Sequence, residues 1–175
     1  MRHGLDCIVA SVKRAALVLS LLLVALVSAR TACAQEAIYI VRHAERLDQS
    51  NDSPLSAAGI ARANRLREML RSAGITHVFT SALRRTIDTA RPAAEALHLV
   101  PNAMPVATGP AVAKALAALG PHDRALVVGH SNTVPELLTA LHVTPPITID
   151  DAEYDNLFIV VPRKDAAPLL LRLTF

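Results

Sequence analysis

The chain has 175 residues, 18 basic and 15 acidic, and is poor in aromatics, with three Phe, two Tyr and no Trp. The charge excess is local: Arg2, Lys13, Arg14 and Arg30, with Asp6, fall in the first 34 residues, and the remainder, 18 less four and 15 less one, carries 14 of each sign. A neutral remainder excludes a binding surface built on net positive charge, so neither nucleic acid nor an anionic membrane is an expected partner. Both cysteines, Cys7 and Cys33, lie in the same first stretch, which leaves the rest without a thiol nucleophile, a disulfide or a zinc–thiolate site.

The first element reads as a secretory signal. Arg2, Lys13 and Arg14 precede a fifteen-residue apolar run at 15–29, and Ala32-Cys33-Ala34 follows. A basic start, a short apolar centre and small residues at a cleavage site define such a leader, and the run is shorter than the roughly 20 residues of a spanning helix. Cleavage near Ala34 is expected, leaving 35–175 as one secreted or periplasmic domain that touches a membrane only through the leader. An uncleaved anchor is the alternative, as is a lipoprotein through Cys33, although Arg30 stands where a lipobox has an aliphatic residue.

Residues 37–42 read as a buried strand and 43–55 as a loop. Ser56 is placed to cap a helix over about 57–72 that ends at Gly74. A short strand at 77–80 follows, then a helix over about 82–97 that Pro92 is expected to kink or divide. The connection 100–110 has room for a short strand. An Ala-rich helix is expected at 111–119, a strong strand at 124–129, and a helix at about 134–141 capped by Thr133 with Pro135 in its first turn. Two late strands, 157–161 and 168–173, flank an acidic, turn-rich stretch at 143–156. Strands alternating with helices predict a three-layer α/β/α domain with a mainly parallel sheet.

In such sheets ligands sit at the carboxyl ends of the strands. Three polar clusters fall there: Arg42-His43, Ser81 to Arg85, and His130-Ser131-Asn132. Arginine is a permanent, forked cation suited to phosphate oxygens, and histidine serves as nucleophile, proton carrier or metal ligand. Paired arginines repel a cation, so the expected site binds phosphate around a histidine, with no metal and no cofactor.

These residues carry a resemblance. Arg42-His43-Ala44-Glu45 resembles the signature of the histidine phosphatase superfamily, the group that includes the cofactor-dependent phosphoglycerate mutases. Ser53-Pro54-Leu55-Ser56-Ala57-Ala58-Gly59, the block from Thr80 to Ala90, and Val128-Gly129-His130-Ser131-Asn132-Thr133 are similar to its later motifs, in order. The resemblance implies a phosphoglycerate mutase-like fold of a small secreted type. It implies a phosphohistidine on His43, phosphate oxygens clamped by Arg42 and Arg85, and a further contact from His130. The expected activity is metal-independent hydrolysis of phosphate monoesters, on a phosphorylated small molecule or a phosphoprotein. A phosphohistidine or phosphoanhydride hydrolase and a non-catalytic phosphate-binding module are the alternatives.

The resemblance does not supply the proton donor for a leaving group. The stretch 106–111, where relatives of this kind place a glutamate, holds no carboxylate, and Ser131 stands where another branch has an aspartate. Glu45, Asp48 and Asp88 are the candidates; Glu45 is better suited to orienting the loop or the nearby arginine than to direct chemistry, and Asn132 equally to touching phosphate or starting a helix. Arg84 is expected in solvent, Arg62, Arg65, Arg67 and Arg71 as surface pairing groups, and His77, His98, His122 and His142 as surface or structural residues. About forty residues separate Thr89 from His130, too few for a large lid, which predicts an open, shallow pocket.

Overall fold

The computed structural model describes residues 36–105 and 107–175; the expected leader lies outside the described residues. The elements are β1 (Ala37–Arg42), α1 (Ala57–Leu70), β2 (His77–Ser81), α2 (Arg84–Ala96), β3 (Asn102–Met104), α3 (Gly109–Leu116), β4 (Arg124–Gly129), α4 (Thr133–Ala140), β5 (Asn156–Val161) and β6 (Leu169–Thr174). They form a six-stranded sheet in the order β3-β2-β4-β1-β5-β6. The four central and left-hand strands are mutually parallel, and β5 and β6 run antiparallel at the other edge.

Each central strand is apolar on both faces, and its alternation divides the core in two. Ile38, Ile40, Ala125, Val127, Phe158 and Val160 meet α3 and α4 through Val112, Leu116, Val134, Leu137 and Leu138. Val41, Leu126, Val128 and Leu157 meet α1 and α2 through Leu66, Leu70, Ala90, Ala93 and Ala94. The three-layer α/β/α order expected from the sequence is therefore the observed one.

Several local expectations are corrected. The third helix begins at Gly109, because an open backbone there lets it abut α4: a Cβ would stand 2.4 Å from the Glu136 carbonyl carbon. It ends at Leu116, and Gly120-Pro121 comes only after a further turn. Thr133 is the first residue of α4, not its cap; its hydroxyl accepts from the His130 backbone N–H at 2.9 Å. Pro92 sits inside an undivided α2. His98 and His142 follow the last residues of α2 and α4 with φ of 56° and 63°, taking the left-handed position where glycine usually ends a helix. They are structural terminators.

Ser56 caps α1 as expected, its hydroxyl accepting from Gly59 N–H at 3.1 Å. Gly59 then lies flush on the loop after β1: an added Cβ would stand 2.3 Å from the Glu45 carbonyl oxygen. That neighbour is backbone and cannot swing aside. Gly59→Ala is expected to lower stability by about 1–3 kcal/mol through overpacking and to displace the Arg42–Glu45 segment. Urea unfolding and phosphate affinity, measured together, check both effects.

Candidate active site

The loop after β1 is locked on two sides. The His43 N–H donates to the Gly129 carbonyl at 2.9 Å, which joins the end of β1 to the end of β4. The Ala44 N–H donates to Thr89 Oγ1 at 2.9 Å, and that hydroxyl donates to the Arg85 carbonyl at 2.6 Å, which joins the same loop to α2. Residues from three separate stretches are thereby joined at their backbone, directly at Gly129 and through the Thr89 hydroxyl at Arg85.

His43 is 4% exposed. Its Nδ1 lies 2.8 Å from the Ala44 carbonyl. A carbonyl can only accept, so the neutral ring carries its proton on Nδ1 and presents an unprotonated lone pair at Nε2. Burial pushes the His43 pKa down to about 3; the Ala44 bond opposes this, and the charges of His130, Arg85 and Arg42 add to it. The ring is thus neutral at ordinary pH.

His130 follows β4, and its ring stands 5.3 Å from that of His43, inclined at 63°. Its Nε2 is 3.0 Å from Ser81 Oγ, which in turn is 2.9 Å from Thr86 Oγ1. Thr86 Oγ1 reaches the carbonyls of Ser81 and Leu83 at 3.0 and 2.8 Å. It donates to one of them and is left free to accept from Ser81. Burial first, then the charges of Arg85 and Arg42, lower the His130 pKa to about 4.

Arg42 is 5% exposed. Its Nη1 donates to the carbonyls of Asp150, Asp151 and Glu153 at 2.9, 2.9 and 3.0 Å, and its guanidinium carbon lies 4.1 Å from the centre of the Tyr154 ring. Arg85 Nη1 donates to the Asn51 carbonyl at 2.7 Å. Burial and the neighbouring Arg46 hold the Arg85 pKa below its ordinary value, against the pull of Asp52; the group stays charged. The buried Nε atoms of both Arg42 and Arg85 have no hydrogen-bond partner among the described residues.

Arg42, His43, Arg85, His130, Ser131 and Asn132 line one open depression of about 360 Å3, together with Arg46, Leu83, Thr133 and Asp151. Glu45 is absent from it. Arg62 grips that carboxylate through Nε, at 3.0 Å to both oxygens, and through Nη2 at 2.7 Å. Burial works to raise the Glu45 pKa, but the Arg62 hydrogen bonds and charge prevail and lower it. Glu45 is therefore a tether, not an acid, and Arg62 is the pairing group expected of it. Asp48 is held by Ser50 and Asp88 by Arg91. Arg84 is exposed, with its backbone N–H given to Asp52 Oδ1 at 2.7 Å. His77, His98, His122 and His142 lie outside the lining.

Sequence reasoning passed over Arg46, Asp151 and Tyr154. For the last two a signal existed: one of only two tyrosines, set among acids in the stretch 143–156.

A phosphoglycerate mutase-like sheet with a histidine–arginine cradle at its carboxyl edge defines the class. The comparisons agree. Residues 38–106 match the family model described as histidine phosphatase superfamily (branch 1). A probable phosphoglycerate mutase of Proteus mirabilis is 42% identical over 66 residues, 34% of this chain and 31% of the relative. One from Yersinia pestis is 39% identical over 69 residues, 35% and 32% of the two chains. The matched stretch thus spans about a third of the curated relatives' length. Among solved structures, the protein histidine phosphatase SixA complexed with tungstate superposes with a TM-score of 0.64 at 21% identity, covering 79% of this chain and 96% of that one. A mycobacterial glucosyl-3-phosphoglycerate phosphatase with inorganic phosphate does so with 0.60 at 16% identity, over 80% and 96%. Residues 38–106 thus carry a likeness to the histidine phosphatase superfamily.

Both imidazoles are neutral in the fold and take up protons on unfolding once the pH drops below the ordinary 6.5. The unfolded state then binds more protons, so stability rises with pH in that window. Their contribution is complete above pH 6.5 and declines as the pH falls toward about 4 for His130 and about 3 for His43. Urea midpoints between pH 7 and pH 5 are expected to fall, and to fall less in a His43→Gln, His130→Gln double variant; equal slopes would contradict the assignment.

Proposed function

We propose that this chain is an exported, metal-independent phosphatase that hydrolyses phosphate monoesters through a phosphohistidine on His43. One observation carries the reading: His43 Nε2 is left as a bare lone pair by the Nδ1–Ala44 bond, inside a depression that three guanidiniums and a second imidazole also line. Nε2 attacks phosphorus, the ester P–O bond breaks, and its electron pair leaves on oxygen, which takes a proton. Water then attacks the phosphohistidine, the P–N bond breaks, and the pair returns to Nε2. Arg42 and Arg85 hold the non-bridging oxygens and offset their charge through both steps. His130, kept in place by Ser81, contacts the same oxygens. Three arginines in the lining would repel a metal ion. Export rests on the leader-like sequence at 1–34.

A second reading is hydrolysis of phosphohistidine or a phosphoanhydride on a protein. The open depression supports it, as does the extent of the likeness to SixA. Mutase action is less well supported, because the short interval between α2 and β4 leaves little chain to shield a phosphorylated intermediate from water.

Protein lacking residues 1–34, assayed with an aryl phosphate in the presence of a chelator, is expected to release phosphate. His43→Ala should lower kcat by about 10^3-fold or more and abolish an acid-labile phosphoenzyme trapped by rapid quench. Phosphate binding without turnover in the unaltered protein would favour a non-catalytic module instead. The acid limb of kcat/KM, corrected for substrate ionisation, is expected at the lowered His43 value of about 3 and not near 6.5; a limb at 6.5 would mean that the His43 ring is hydrated.

A further inference from the structure

We propose that Asp151 is the general acid that protonates the leaving oxygen, and the base that later activates water; the proposal rests on the phosphatase reading above. Asp151 is the sole carboxylate among the described residues that line the depression. The three carboxylates that the sequence offered as acids are tied up elsewhere: Glu45 by Arg62, Asp48 by Ser50 and Asp88 by Arg91. Asp151 is not. Its side chain is fully exposed, and its nearest cation, Arg42 Nη2, stands 4.0 Å away, beyond hydrogen-bond reach.

What fixes the carboxylate in place is its own backbone. The Asp151 carbonyl is one of the three that receive Arg42 Nη1, with those of Asp150 and Glu153 on either side. Glu153 Oε2 accepts the Asp150 N–H at 2.9 Å and Oε1 meets Arg172 Nη2 at 3.3 Å, so the turn is also braced from β6. The turn therefore cannot drift from the phosphate-clamping arginine, while the Asp151 side chain keeps its rotational freedom at the rim. This is the arrangement a proton donor needs: a short tether beside the phosphoryl site and a mobile tip on the solvent side, where a leaving group departs from an open pocket.

The proton balance closes. As Nε2 of His43 bonds to phosphorus, the ester bond breaks and the departing oxygen takes the proton of the Asp151 carboxyl, giving a neutral alcohol and a carboxylate. In the second step that carboxylate takes a proton from the attacking water while the P–N bond breaks. Inorganic phosphate leaves, and Asp151 is protonated again for the next cycle.

Leaving-group dependence is the test. Asp151→Asn keeps the backbone carbonyl that Arg42 uses and removes only the proton. The two substrates are p-nitrophenyl phosphate, whose leaving group needs little protonation, and glycerol phosphate, whose leaving group needs much. The variant is expected to lose about 10^2-fold or more in kcat/KM on glycerol phosphate, within the usual range for general acids, and to stay within about threefold in kcat/KM on p-nitrophenyl phosphate, because kcat/KM reports transfer to His43 and not the water step that both substrates share. Phosphoenzyme formation with the aryl ester should persist, and Asp151→Glu should recover part of the alkyl activity. Equal loss of kcat/KM on both substrates, or no loss on either, overturns the assignment while leaving the phosphatase reading intact. Failure of the unaltered protein to hydrolyse either substrate would remove that reading and the assignment with it.

Discussion

The parallel pairing of β1 with β4 is the constraint from which the site follows. Their register sets Arg42 opposite Gly129, so the next residue on each strand is a histidine, and the two rings emerge side by side. The His43 N–H bond to the Gly129 carbonyl extends the ladder by one step and fixes that adjacency in backbone. Because β2 pairs with the other side of β4, Ser81 also ends at this edge and reaches His130. A slip of one residue in β1 would exchange its two faces: Ile38 and Ile40 would leave their core, and His43 would leave the cradle. The hydrophobic packing that holds the sheet in register is therefore the same force that assembles the polar site.

Assembling so many donors in a half-dry depression has an electrostatic consequence. Two imidazoles, one buried and one half-buried, beside two guanidiniums cannot all be charged without an anion, because like charges at this range and low dielectric repel strongly. The structure resolves this by neutralising the histidines and leaving the arginines ionised. Part of the arginine charge is satisfied by backbone: Arg42 by three carbonyls, Arg85 by that of Asn51. Carbonyls offset the charge without cancelling it, so the cradle keeps its positive charge. Carboxylates in those positions would have closed it with internal ion pairs, which is what Glu45 does to Arg62 a few residues away.

How much of this the sequence disclosed depends on distance along the chain. Arg42 with His43, Arg85 and His130 were legible because each sits within a residue or four of a strand end, and strand ends are marked by apolar runs that stop. The element borders at Gly109 and Thr133 were not, since they depend on how α3 and α4 touch, and on a hydroxyl turned back to His130. Pro92 misled for a related reason: buried Ala90, Ala93 and Ala94 hold α2 together by packing where propensity alone would break it. The role of residues 150–154 was marked only by a tyrosine among acids, because a stretch of acids and turn formers reads as solvated loop, and only the fold reveals that its carbonyls, not its carboxylates, bind Arg42.

That stretch also explains how a domain with so short an interval between α2 and β4 can still surround a substrate. β3 has three residues and α3 has eight, which leaves nothing to fold over the carboxyl edge of β2 and β4. The walls must come from the other end of the sheet. The loop after β1 supplies Arg46 and, through Asn51 and Asp52, bonds to Arg85 and Arg84; the turn before β5 supplies Asp151 and the Tyr154 ring. Both walls are attached to the two arginines that would hold the phosphoryl group, so displacing either arginine loosens a wall as well as a clamp. Recognition concentrated on the phosphoryl group, with an open side for whatever carries it, is the expected outcome of that economy of chain.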